Sequence, residues 1–301
     1  MSAVPPDVVA APLIGEGAPR SDAWRRLRRN PTFLLGAGVV LLILLIAVFA
    51  PLLAPHNPYT QSMGNRVVPP VWMDRGSWDH VLGTDGLGRD YLSRIIYGAR
   101  ISLLIAVFTV ITSGLIGTTL GVLAGYFGGK VDLVINFFIM TRLTLPVVMV
   151  ALAVVALFGG SLTVVVLVLG FLLWDRFAVV TRAATQQLRN QEYIQASRSL
   201  GFTTRQIVFR DVLPNIFDRL AVIATFEMAQ AILLEAALSF LGLGVQPPTP
   251  SWGLMVAEGR QFLLFDPWLI MIPGAAIFVL VMAINLAGDG LRDALAPENR
   301  N

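Results

Sequence analysis

Apolar residues run along this chain in long uncharged blocks separated by short charged segments. The blocks have the length of a bilayer crossing, which takes about 20 apolar residues per helix. Residues 33–53 carry no charge and finish among Pro51 and Pro55, which predicts a first span. Arg25, Arg26, Arg28 and Arg29 precede it as they would a signal peptide. The run is too long for a signal h-region, however, and no small-residue cleavage site follows cleanly. Residues 101–125 form a second uncharged run. Between Asp132 and Asp175 the one charge is Arg142. At about 1.5 Å per residue that stretch makes roughly 63 Å of helix, enough for two crossings of a 30 Å core. Gly159-Gly160-Ser161 breaks its pattern and predicts the turn between them. A fifth span is predicted over 220–243, with Glu227 and Glu235 inside it. A sixth runs over 267–288, between Asp266 and Asp289.

Composition agrees with six spans. Of 301 residues, 55% are hydrophobic and 14% charged, against about 25% charged in soluble domains, and the mean hydropathy is +0.72. These values exclude an ordinary soluble enzyme, a disordered protein and a secreted disulfide scaffold. There is no cysteine, and His56 and His80 are the only histidines, so neither a thiolate site nor a histidine-rich metal site is expected. The net charge is +3, but the arginines punctuate apolar runs and make no single basic face, so nucleic acid is not an expected partner. The only lysine lies in Gly128-Gly129-Lys130-Val131. No phosphate loop of the GxxxxGK[ST] type therefore exists, and the chain is not its own ATPase. Gly83-Thr84-Asp85-Gly86-Leu87-Gly88 reads as a turn, and Asp74, Asp79, Asp85 and Asp90 lack the spacing of a calcium loop. No triad or HExxH is present, so no catalytic or metal-ligating residue is predicted.

Loop arginines orient the bundle. Arg20, Arg25, Arg26, Arg28 and Arg29 precede span one. Arg176, Arg182, Arg189, Arg198, Arg205 and Arg210 lie between spans four and five. With six spans both groups fall on one side, the cytoplasmic one, together with both termini. Arg66, Arg75, Arg89, Arg94 and Arg100, in the loop after span one, run against the rule.

Several features could carry function. Ser113, Gly117, Gly121 and Gly125 repeat every four residues and make a smooth groove on span two, predicted to pack within the chain in preference to a subunit interface. Arg142, Glu227 and Glu235 are ionisable groups at membrane depth. They are candidates for a water-filled translocation path, with structural pairing as the competing reading. Residues 181–214 read as two short helices. Asn190 is expected to cap the first, and Gly201 to end it in the left-handed conformation. Thr203-Thr204-Arg205-Gln206 fits a capping box for the second, with Pro214 stopping it before span five. Tyr193, Ile194, Ala196 and Leu200 give an apolar face; Arg189, Glu192, Gln195 and Arg198 give a polar one. Such a helix pair suits either a lipid surface or a knob inserted into a partner protein.

EYIQASRSLGFTTRQIVFRDVLPN resembles the EAA loop of permease subunits in binding-protein-dependent ABC importers. Gly201, Leu213 and Pro214 match that loop in register, whereas Gln195, Ser197 and Asp211 depart from it. HVLGTDGLGRDYLSRIIYGARISL (80–103), AGYFGGKVD (124–132), EAALSFLGLGVQPPTPSWGLM (235–255) and NLAGDGLRDAL (285–295) are similar to signatures of the dipeptide/oligopeptide (peptide/nickel) group, C-type subunit. The stretch Arg142-Leu143-Thr144-Leu145-Pro146 lacks the aspartate that the family usually has shortly after the arginine.

The resemblance implies an all-α polytopic membrane protein with the type I ABC importer permease fold and cytoplasmic coupling helices, in the bacterial plasma (inner) membrane. The expected organisation is a cytoplasmic tail (1–31), a first transmembrane helix (32–54) and an extracytoplasmic loop (55–100). A core permease domain (101–288) with the EAA loop at about 181–214 follows, then a cytoplasmic tail (289–301). Coupling to the ATPase is expected of Glu192, Gln195, Ala196, Ser197, Leu200, Gly201, Arg205, Leu213 and Pro214. Implied partners are a second, B-type permease, two P-loop ATPase subunits or domains that hold ATP and magnesium, an extracytoplasmic substrate-binding protein and the lipid bilayer. The implied cargo is di- or oligopeptide, with nickel, haem or another small solute as alternatives within the class. An ion-coupled secondary transporter is the alternative outside it. It would show an internal repeat, and none is convincing here.

Overall fold

The computed structural model describes residues 25–295. Most of the expected N-terminal tail, with Arg20, and the end of the C-terminal tail lie outside them. The described residues are helical apart from loops and the isolated bridges Ser77–His80 and Thr84–Asp90. Their helices include α1 (Pro31–Val48), α2 (Tyr91–Phe127), α3 (Gly129–Thr144), α4 (Val147–Phe158), α5 (Leu162–Leu172), α6 (Trp174–Arg189), α7 (Glu192–Ser199), α8 (Thr204–Ile207), α9 (Leu213–Phe240), α10 (Trp252–Gly259) and α11 (Trp268–Leu295). Among the described residues, five helical stretches are long and apolar enough to cross a membrane. The pair α3–α4, bent by 89°, makes a sixth when counted as one span.

Local chemistry sets most helix ends. Asn30 accepts from the Thr32 and Phe33 N–H groups, with Pro31 just inside α1 where its missing N–H costs nothing. Asp90 accepts from Ser93 N–H at the start of α2, and Ser161 from Val164 N–H at the start of α5. Gly159 (φ 90°) makes the predicted turn between α4 and α5. The bend between α3 and α4 falls at Leu145-Pro146. Proline lacks the N–H and drives the preceding residue to extended backbone, here Leu145 at φ −87°, ψ 129°.

Three expected boundaries are corrected. Span two begins at Tyr91, not at 101: the helix runs on through exposed Arg100 and through buried Arg94, which is paired with Asp85 and Glu258. The helix of span five begins at Thr204, and Pro214 does not stop it. A π-turn over Val208–Val212 carries the helix past the proline ring, the Leu213 N–H reaching Val208 O five residues back. Asn190 does not cap α7 but closes α6, and Gln191 occupies the α7 N-cap without a side-chain bond.

Packing follows the small residues. Ser113, Gly117, Gly121 and Gly125 are all buried, and the glycine groove receives α6 of the same chain, as predicted. A Cβ on Gly121 would lie 2.6 Å from Ala178 O and 2.7 Å from Thr181 Cβ; one on Gly125 would lie 2.6 Å from Thr185 Cβ. Gly121→Val is therefore expected to destabilise the bundle by about 1–3 kcal/mol through overpacking. An unchanged thermal midpoint in detergent would contradict that close approach. A second apolar cluster, around Tyr91, Leu103, Trp252, Trp268 and Ile284, ties α1, α2, α10 and α11 together. A third, around Ile105, Val155, Leu169 and Leu238, joins α2, α4, α5 and α9. Outward-facing Leu41, Phe108, Leu115, Phe137 and Phe278 leave an apolar exterior, the surface a bilayer covers.

Candidate functional site

Three polar constructions interrupt this apolar body. The first is the 181–214 segment. Its opening residues, through Arg189, finish the long α5–α6 stretch, and the separate helix α7 follows. Gly201 (φ 85°) closes α7: its N–H reaches Arg198 O at 3.0 Å, and Phe202 N–H reaches Ser197 O at 3.1 Å. These are the paired bonds of a Schellman ending, which needs a left-handed residue at this position. Thr203 and Gln206 then form the predicted reciprocal capping box. Ile194 is fully buried among Val122, Tyr126, Ile207 and Ile216, and the Arg198 guanidinium lies 4.9 Å from the Tyr126 ring centre. The rest of the expected apolar face is not covered by the described residues. Tyr193 and Ala196 are exposed, and Leu200 is 77% exposed. Glu192, Gln195, Gly201 and Arg205 share that exposed surface, and Ser197 is half-buried. Leu213 and Pro214 belong to the start of α9.

The second construction lies where α5 passes into α6. Arg142 donates to Leu172 O and lies 3.6 Å from Asp175 Oδ1. Next door, Arg176 Nη1 is 3.3 Å from Glu227 Oε1, Glu227 being fully buried and Arg176 58% exposed. A cavity of about 360 Å³ opens beside this pair, lined by Leu143, Val179, Val180, Ile223 and Phe226 as well. The structure thus joins Arg142 and Glu227 to one polar seam and leaves Glu235 out of it. Glu235 is buried two helical turns further on, accepting from Ser239 Oγ at 2.8 Å and Ser251 Oγ at 2.9 Å. Asp175 and Arg176 were missed as site residues, because they read as the charged end of a span. Two adjacent charges inside a helical run were the available signal.

The third construction was read only as a turn. Asp85 accepts from the Leu87 and Arg89 N–H groups and pairs with Arg89 at 2.6 Å and with Arg94. Glu258 of α10 closes the ring, 2.8 Å from Arg94 and 3.1 Å from Arg89. Burial works against charge on Asp85, but Arg94, the Arg89 and Leu87 N–H groups and the Arg89 guanidinium outweigh it. Its carboxyl is held below the ordinary aspartate value. Two arginines that run against the orientation rule are therefore consumed in internal pairing. Beside this ring Asp90 meets both histidines, His80 Nδ1 at 2.9 Å and His56 Nδ1 at 3.6 Å.

Comparison with known proteins accords with this architecture. Residues 117–301 match the family described as binding-protein-dependent transport system inner membrane component. Residues 18–70 match the N-terminal TM domain of oligopeptide transport permease C. The di/tripeptide transport system permease protein of Pseudomonas aeruginosa is 42% identical over 284 residues, 94% of either chain. The dipeptide transport system permease protein of Escherichia coli K12 is 42% identical over 291 residues, 97% of this chain and 96% of that one. A glutathione transport system permease protein of Pectobacterium atrosepticum is 38% identical over 280 residues, 93% and 91% of the two chains. Among solved structures, an inward-facing MetNI methionine ABC transporter chain superposes with a TM-score of 0.57 at 18% identity, over 68% of this chain and 98% of that one. The fold is that of a type I ABC importer permease, a multi-pass helical membrane protein. The chain belongs to the family of binding-protein-dependent transport system inner membrane components.

Proposed function

We propose that this chain is the permease subunit of an ATP-driven importer of di- or oligopeptides in the bacterial plasma membrane, with both termini cytoplasmic. The observation that carries the reading is α7. It is a short helix closed at its C-terminal end by Gly201 and followed at once by the Thr203 box that opens α8; its exposed apolar residues find no cover among the described residues, and it leads directly into span five. Such a helix suits a cleft on a partner ATPase, and Glu192, Gln195, Ala196, Leu200 and Arg205 are its contact residues. Gly201 is a positioning residue, and Ser197, Leu213 and Pro214 support the segment from behind. The catalytic work, with ATP and magnesium, falls to two P-loop ATPase partners. A second, B-type permease completes the pore, and an extracytoplasmic binding protein delivers cargo. The Arg176–Glu227 pair and its cavity, with Arg142 and Asp175 behind them, are the proposed polar lining of the path. Peptide cargo is supported by the names of the relatives at 42% identity; the glutathione relative makes cargo a question for a competition panel.

The test is purification of the full chain in mild detergent, mass spectrometry of what stays bound, and reconstitution with those partners. P-loop ATPases and a second permease are expected to co-purify, with dipeptide uptake into vesicles that requires ATP and the binding protein. A folded chain that comes out alone and moves solute without ATP would overturn the reading in favour of ion coupling.

A further inference from the structure

We propose that His56, His80 and Asp90 form a binding site for one divalent transition-metal ion of the zinc class. The three residues come from separate pieces of chain: His56 from the segment after span one, His80 from the loop, and Asp90 from the cap of α2. One ligand atom from each lies within 4.8 Å of the others. Both imidazoles turn Nδ1 toward the same Asp90 oxygen, Oδ1, at 2.9 Å and 3.6 Å. Ligand atoms about 2.0–2.2 Å from a tetrahedral zinc are about 3.3 Å apart, so these separations bracket what one ion between them requires.

The surroundings are built to hold the ligands. Asp90 is almost completely buried, and its other oxygen, Oδ2, is fixed by Ser93 N–H at 2.8 Å. The His56 backbone N–H donates to Ser93 Oγ at 3.0 Å, which ties the first ligand to the same helix turn as the third. The histidine rings lie 5.0 Å apart, tilted by 44° and not stacked. His80 is mostly buried and His56 is 45% exposed, leaving the His56 side for a fourth, water ligand.

The donor set chooses the metal. Two imidazole nitrogens and one carboxylate suit zinc, cobalt, nickel or copper(II), whereas calcium requires six or more oxygens and magnesium an octahedral, largely hydrated shell. On binding, the metal takes the Nδ1 lone pair of each neutral imidazole, whose single proton then sits on Nε2, and the ion replaces the contact between His80 Nδ1 and Asp90 Oδ1. The start of α2 carries partial positive charge that opposes a cation, and the Asp90 carboxylate sits there to offset it. The ion would fasten the chain leaving span one to the loop and to the first turn of span two.

The test uses the full chain in detergent, purified without a polyhistidine tag, with cobalt(II) and then zinc alone as probes. Wild type is expected to bind one ion per chain, to give cobalt ligand-field absorption that zinc displaces and excess calcium or magnesium does not, and to unfold at a higher temperature with zinc. His80→Ala and His56→Ala are each expected to weaken binding at least tenfold, and the double variant to abolish both the absorption and the thermal shift. Since His56 is half-exposed, its variant keeps the site testable should His80→Ala fold poorly. Monodisperse wild type with no cobalt absorption, or undiminished binding in a folded His56→Ala variant, would overturn the proposal.

Discussion

Proline at position 201 is expected to abolish ATP-driven uptake while the membrane spans remain inserted. Gly201 holds φ at 85°, and proline is confined near −65°. The substitution also removes the N–H that bonds Arg198 O. The turn between α7 and α8 cannot form, so the exposed surface of α7 loses its fixed direction. A Cβ placed there meets nothing within 4 Å, so the substitution adds no packing clash at that position. Gly201→Ala serves as the comparison. It keeps the N–H and meets no clash, so it pays only the left-handed backbone cost of roughly 1–2 kcal/mol and is expected to retain part of the uptake. Uptake per inserted transporter, with ATPase co-purification measured alongside, separates a lost turn from lost expression. Wild-type uptake by the proline variant would remove the 181–214 segment from the coupling role.

Asp85→Ala is expected to give the largest loss of stability, about 3–5 kcal/mol, because it leaves buried arginine charge uncompensated. Arg94 is completely buried, and its Nε and Nη2 have no hydrogen-bond partner. Without Asp85 it keeps only Glu258, which it shares with Arg89. The variant also frees the Leu87 and Arg89 N–H groups. Thermal unfolding of the purified chain reads the effect, and a midpoint equal to wild type would show that the ring contributes nothing net. The acid side gives a second readout. Folding holds the Asp85 carboxyl below its ordinary value of 3.8, so its stabilisation is complete above that pH and is lost as pH falls through the lower, native value. Asp85→Asn is expected to lack that acid-side increment.

What the sequence made legible was local or periodic. Uncharged runs of membrane length announced the spans, and the four-residue spacing of small residues announced the α2–α6 contact. Gly201 and the Thr203–Gln206 box act within a few residues of themselves, so their geometry could be read directly. Charged residues misled wherever a distant partner cancelled them. Arg94 and Arg100 hid the first turns of α2: Arg100 is simply exposed on the helix, whereas buried Arg94 relies on Glu258, far along the chain; the neighbouring Arg89–Glu258 bond joins residues 169 apart. Glu227 and Glu235 share a helix but not an environment, one facing Arg176 from α6 and the other facing serines. Pro214 was read by its usual effect, which the π-turn absorbs. The histidines were set aside as too few, because nothing in their spacing shows that Asp90 stands between them.

The helix that runs from Thr204 to Phe240 has a mechanical consequence. Its 37 residues make a rod about 55 Å long at about 1.5 Å per residue. Pivoted at one end, a rod of that length swings its other end through about 5 Å for every 5° of tilt. Because no loop separates α8 from α9, a push on the capping-box end would reach the Phe240 end through one continuous helical stretch. The π-turn over Val208–Val212 interrupts the α-helical bonding along that length, so its stiffness would set how much of such a stroke arrives.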